Sequence, residues 1–141
     1  MAGSSVTVTR TKREIGRGAK SNQVEIVKIS WVADDSDGSV PATEMELDGW
    51  LIKAITDPGA TAPTDNYDIT LVDANGSVDA ANSQLLNRST DTSQQVYPVV
   101  DTAGTGGPTP VLLAGTYTFT LENNSENDAL GDVWLYLVSD I

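Results

Sequence analysis

The sequence predicts an all-β, antiparallel fold, and three observations carry that expectation. Short runs rich in Val, Ile, Thr, Tyr and Trp alternate apolar with polar residues. These runs recur between clusters of Gly, Pro, Asn and Asp, and the periodicity of an amphipathic helix is nearly absent. At 141 residues the chain has the size of a single domain. The expected architecture is an antiparallel β-sandwich, jelly-roll or immunoglobulin-like, of about seven to eight strands. It carries an extended N-terminal arm and at most one short helix.

Taken in order, Ser5 to Thr11 is a Thr/Val alternation, and Gln23 to Ala33 sets Val27, Ile29 and Trp31 on one face against Val24, Ile26 and Lys28. Asp34-Asp35-Ser36-Asp37-Gly38-Ser39 is a turn cluster. Thr43 to Thr56 is the longest strand-like run. Its phase changes at Asp48-Gly49, from Met45 and Leu47 to Trp50, Ile52 and Ala54, and a glycine inside such a run predicts a β-bulge there. Asn66 to Val72 alternates Tyr67, Ile69 and Leu71 with polar residues and ends at the turn Asp73-Ala74-Asn75-Gly76.

Asp79 to Asn87 is the one place for a short helix. Gln94 to Val100 reads as a strand broken at Pro98, which suits an edge. Thr102 to Pro110 reads as loop, Gly115 to Glu122 alternates Tyr117, Phe119 and Leu121, and Val133 to Val138 closes the chain. That last run is apolar on both faces, so it lies centrally in a sheet or sets Trp134, Tyr136 and Val138 against a partner.

Neither cysteine nor histidine occurs. Disulfides, thiolate nucleophiles and cysteine-ligated metals are thereby excluded, as are the usual general base of hydrolases and the commonest metal ligand. The expectation is a protein that is not an enzyme and takes no cofactor or metal. The nearest approach to a metal site is a partial match to a calcium loop at Asp35, Asp37, Gly38 and Glu44. Ala33 stands at its first ligand position and strands flank it, so a solvated turn is the expected reading. The carboxylates sit in turns and at alternate strand positions, a distribution that argues against a glycosidase-type pair. Asn75, Asn87 and Asn123 begin formal glycosylation sequons, which mean little without a secretion signal. Trp31, Trp50 and Trp134 read most simply as core anchors.

The net charge is −12, which argues against a general nucleic-acid binder. Its distribution is uneven, because Arg10, Lys12, Arg13, Arg17, Lys20 and Lys28 precede Trp31 and only Lys53 and Arg88 follow it. The chain therefore divides into a basic, extended arm over residues 1–22 and an acidic β domain over residues 23–141. Arg10, Lys12, Arg13, Arg17 and Lys20 are the expected partner-binding residues, directed at an acidic surface such as a second copy of the chain. No apolar run approaches the roughly 18 to 20 residues that span a bilayer, so no membrane partner is expected and synthesis in the cytoplasm is.

From Trp50-Leu51-Ile52 through Pro63-Thr64-Asp65-Asn66-Tyr67-Asp68-Ile69-Thr70-Leu71-Val72-Asp73-Ala74-Asn75-Gly76 to Leu85-Leu86-Asn87-Arg88-Ser89, and again at Trp134-Leu135-Tyr136-Leu137, the chain resembles small virion-associated proteins of tailed bacteriophages. The resemblance spans about half the chain. It differs at Gly76-Ser77-Val78-Asp79-Ala80-Ala81, where an acidic-hydrophobic link is expected after the turn. What it implies is a capsid cement or decoration protein, a homo-oligomer of which a trimer is one form, bound to the major capsid protein or other virion proteins on the capsid exterior. The alternatives are a head-to-tail connector, tail or fibre-base protein, and a carbohydrate- or receptor-binding β-sandwich.

Overall fold

Alternating sequence becomes strand nearly wherever the pattern predicts it. The computed structural model describes residues 3–15, 22–101 and 108–139, and among these it contains eight strands and no helix. They are β1 (Ser5–Ile15), β2 (Asn22–Val32), β3 (Thr43–Pro58), β4 (Asp68–Asp73), β5 (Gln94–Val96), β6 (Val99–Asp101), β7 (Pro108–Glu122) and β8 (Leu130–Val138). All pairings are antiparallel. Hydrogen bonds join the strands in the order β1-β2-β8-β3-β7-β4, with β5 added to β3 and β6 to β7. The chain is thus an antiparallel all-β protein in which a single hydrogen-bonded sheet carries the architecture.

One face of that sheet makes the core. Val27, Ile29 and Trp31 of β2, Leu51 and Ala54 of β3, Leu113, Tyr117 and Phe119 of β7, and Val133, Leu135 and Leu137 of β8 are all buried in it. Trp31 meets Tyr67, at the entrance to β4, with ring centroids 5.8 Å apart. Since β2 and β4 lie near opposite ends of the strand order, this contact shows that the sheet curls until its far ends face each other across one core.

The phase change in β3 lies later than the glycine suggests. Met45, Leu47 and Leu51 all point into the core, and only at Ile52 does the register slip, after which Ala54 and Thr56 are the buried positions. Gly49 has a different task. Its φ is +126°, and a Cβ there would stand 3.0 Å from the Val138 carbonyl oxygen. The glycine serves the close approach of β3 to β8, and the extra residue Ile52 makes the bulge.

Other elements also depart from expectation. Asp79 to Asn87 forms successive turns instead of a helix, because Asp79 accepts from the backbone N–H of Leu71, Ala81 and Ser83, and Asn82, Ser83 and Asn87 hold positive φ. Strand β7 begins at Pro108, inside the stretch expected as loop, where Pro108 and Pro110 pair with the short strand β6. The interruption at Pro98 falls as expected, between β5 and β6. Of the tryptophans only Trp31 anchors the core, since Trp50 and Trp134 are half-buried on the opposite face of the sheet.

Two expected outcomes test this packing. Leu135 is fully buried in the central strand β8, so Leu135→Ala costs about 2–5 kcal/mol, read as a lower urea midpoint at unchanged slope. Burial pushes the Tyr67 hydroxyl up from 10.0 to about 12, with Thr56 and the Arg88 guanidinium pulling back more weakly. The folded chain thus holds this proton more tightly than the unfolded chain does. The resulting stability is complete below the ordinary tyrosine range and is lost as pH rises from there toward 12. Denaturation midpoints across alkaline pH fall less steeply for Tyr67→Phe than for the parent.

Candidate partner-binding surface

Strand β1 is the element on which the candidate binding residues sit. Ser5–Ile15 pairs residue for residue with β2, from Ser5 opposite Val32 to Ile15 opposite Asn22, and Val6 and Val8 pack against the core. Residues expected to form an arm beside the domain are therefore the outermost strand of the sheet itself. Arg17 and Lys20 lie outside the described residues.

Pairing decides where each basic side chain goes. Residues directly opposite in an antiparallel pair share a face, so Arg10, opposite the buried Val27, and Lys12, opposite Glu25, follow Val6 and Val8 on the core-facing side. Arg13 falls on the other side. The core does not extend this far along β1, and Arg10 and Lys12 instead line an open groove of about 230 Å³ with Gln23, Glu25, Glu46, Asp48, Leu137 and Ser139. Arg10 donates to Glu25 at 3.0 Å and also to the Glu46 backbone carbonyl, which fixes its guanidinium across the groove. Lys12 and Arg13 are exposed.

The second set of expected interface residues, Trp134, Tyr136 and Val138, lies on the outer face of β8. This strand is central, flanked by β2 and β3. Lys28 of β2 stands over the Trp134 ring at 4.8 Å, and Lys53 of β3 over the Tyr136 ring at 4.5 Å. Val138 is nearly covered, between Val24 and Trp50. Beyond Trp50 the row continues to Leu112, 55% exposed, on β7. Sequence reading missed Lys28, Lys53, Trp50 and Leu112 as members of this face. Only the strand register brings them beside β8, and no local motif announces that register.

The acidic loop is occupied with its own backbone. The Asp34 carboxylate accepts from the Ser36 hydroxyl and N–H, which holds its pKa below the usual value, and Asp37 accepts from the Ser39 N–H at 2.9 Å. Gly38 is buried at φ +75°, and a Cβ on it would approach the Ser125 backbone to 2.9 Å, so the loop is docked against residues 124–126. Asn124 reinforces the contact by donating to the Gly38 carbonyl at 2.8 Å and accepting from the Thr64 N–H. Glu44 stands apart as an exposed residue of β3. Among the described residues no three Asp or Glu side chains are grouped so as to hold a metal ion, and no helix is long and apolar enough to cross a membrane.

What the arrangement offers is a strand edge that carries Arg10, Lys12 and Arg13, on a body whose loops are acidic. Comparison with family models, curated proteins and solved structures returned no significant match. Because Lys12 and Arg13 are exposed and make no core contact, Lys12→Glu with Arg13→Glu lowers the unfolding free energy by no more than about 1 kcal/mol, the cost of setting a carboxylate opposite Glu25, as chemical denaturation would show.

Proposed function

We propose that this chain is a non-enzymatic structural protein of the virion, a cement or decoration protein that binds the outside of a phage capsid through its basic edge strand. One observation carries the binding part of the reading: Arg10, Lys12 and Arg13 line the outermost strand of a chain whose net charge is −12. Such a charge separation orients the molecule, because an acidic partner is attracted to β1 and repelled by the loops. The virion part is supported by the resemblance of Trp50 to Ser89 and of Trp134 to Leu137 to small phage virion proteins. A rigid sheet with one attracting edge suits a lattice, where many modest contacts act together.

Shells assembled from the cognate major capsid protein, without this chain, provide the test. The parent protein attaches in many copies and is released as salt is raised, since exposed charge pairs are screened. The Lys12→Glu, Arg13→Glu variant attaches about tenfold more weakly at low salt. Undiminished attachment of the variant would overturn the role of β1, and attachment indifferent to salt would transfer the contact to the outer face around Trp134 and Tyr136. A dozen or fewer copies per particle would replace the cement reading with a connector or tail position.

A further inference from the structure

Resting on the reading that β1 is the attachment strand, we infer that it binds by strand addition: an extended, acidic segment of the partner protein pairs with the open edge of β1 and continues the sheet.

The two ends of the sheet are treated differently. At one end, β4 is closed off by the chain that follows it. The Asp73 N–H donates to the Val78 carbonyl at 2.9 Å, the Leu71 N–H to the Asp79 carboxylate at 3.1 Å, and the Ile69 N–H to the Leu85 carbonyl at 3.0 Å, while the Leu71 carbonyl accepts from Ala80 at 2.8 Å. The Arg88 N–H, donating to the Tyr67 carbonyl at 2.8 Å, extends the cover to the strand's entrance. At the other end, β1 pairs with β2 alone among the described residues. An antiparallel strand turns alternate N–H and C=O groups to each side, so β1 presents a row of backbone donors and acceptors along 11 residues. Its sequence contains neither proline nor glycine, and its Thr/Val alternation favours the extended form.

Charge selects what can pair there. Two copies of β1 aligned antiparallel over their full length would place Arg10 opposite Arg10, and like charges directly opposite are destabilising. The basic residues that protect β1 from its own copy favour a strand with carboxylates at alternate positions, which would meet Arg10 and Lys12 on one face. A polyphosphate satisfies the charge and leaves the backbone row unmet, whereas a peptide satisfies both. Main-chain hydrogen bonds would provide the affinity and the alternate side chains the selectivity.

The probe is a synthetic peptide of the length of β1 that alternates glutamate with valine, offered to the full chain. The controls are the same peptide N-methylated at every residue, a lysine–valine counterpart and single-stranded oligothymidylate. Amide hydrogen exchange is read over Ser5–Ile15. The expected result is protection of alternate β1 amides by the acidic peptide, no new protection in β4, loss of both binding and protection on N-methylation, and affinity about tenfold lower for Lys12→Glu with Arg13→Glu. Equal binding of the N-methylated peptide would overturn strand addition while leaving electrostatic attachment of the chain to its shell intact. Equal protection by oligothymidylate, or β1 protection that appears with protein concentration alone, would overturn the acidic-strand partner in favour of nucleic acid or a second copy. Absence of any peptide binding would also overturn it.

Discussion

The sheet depends on a single shared strand. From Thr43 to Leu51, β3 pairs with β7 along one edge, and from Trp50 to Pro58 it pairs with β8 along the other, so the two backbone ladders overlap on β3 at Trp50 and Leu51. The edge that β7 leaves after Leu51 is taken by β5 at Ala54 to Thr56, which keeps the second half of β3 hydrogen-bonded on both sides. The slip at Ile52 falls at this handover. A bulge increases local twist, and here it occurs where the sheet must curl to bring Trp31 against Tyr67. It also inverts which β3 residues enter the core, so the buried side continues from Leu51 to Ala54 without a polar residue turned inward.

Much of the strand layout was legible because alternation is a local property. Val27, Ile29 and Trp31, Tyr67, Ile69 and Leu71, and Tyr117, Phe119 and Leu121 are each buried on one face, as their spacing predicts. The departures occur where a nonlocal partner overrides the local signal. At Gly49 the sequence shows a glycine but not the Val138 carbonyl that demands it. In the stretch after Val78, alanines and leucines suggest a helix, yet Asp79 draws three backbone N–H groups to its carboxylate and leaves turns. Prolines at 108 and 110 suggest loop, and an edge pairing with β6 accommodates them.

The candidate surface was legible in its charge and not in its placement. A count of lysine and arginine locates the basic segment, but composition alone reads such a segment as lying beside the domain. The pairing from Ser5 to Ile15 shows that the same residues have a partner in β2 and a hydrophobic foothold through Val6 and Val8. The outer face of β8 shows the converse. Trp134 and Tyr136 look apolar in sequence, and the register places Lys28 and Lys53 over their rings, so much of what would be a sticky face is already covered.

The position of the change from valine to basic residues along β1 links stability to binding. Down its core-facing side the strand reads Val6, Val8, Arg10, Lys12, while the residues opposite in β2 read Trp31, Ile29, Val27, Glu25. Burial ends at the Arg10–Val27 pair, where the charges begin. The first half of β1 is held by packing, and the second half by the ladder to β2 and the Arg10 contacts with Glu25 and Glu46, as an overhang beyond the core. An exposed ion pair contributes little, on the order of 0–1 kcal/mol, so this half of the ribbon is the less stable one and opens locally at smaller cost. A partner strand paired with it would add hydrogen bonds beyond the edge of the core, and would stiffen the overhang as it binds. Placing the basic residues over the core instead would have buried their charge. Beyond it they remain hydrated, and the backbone beside them is held in the extended form that strand pairing requires.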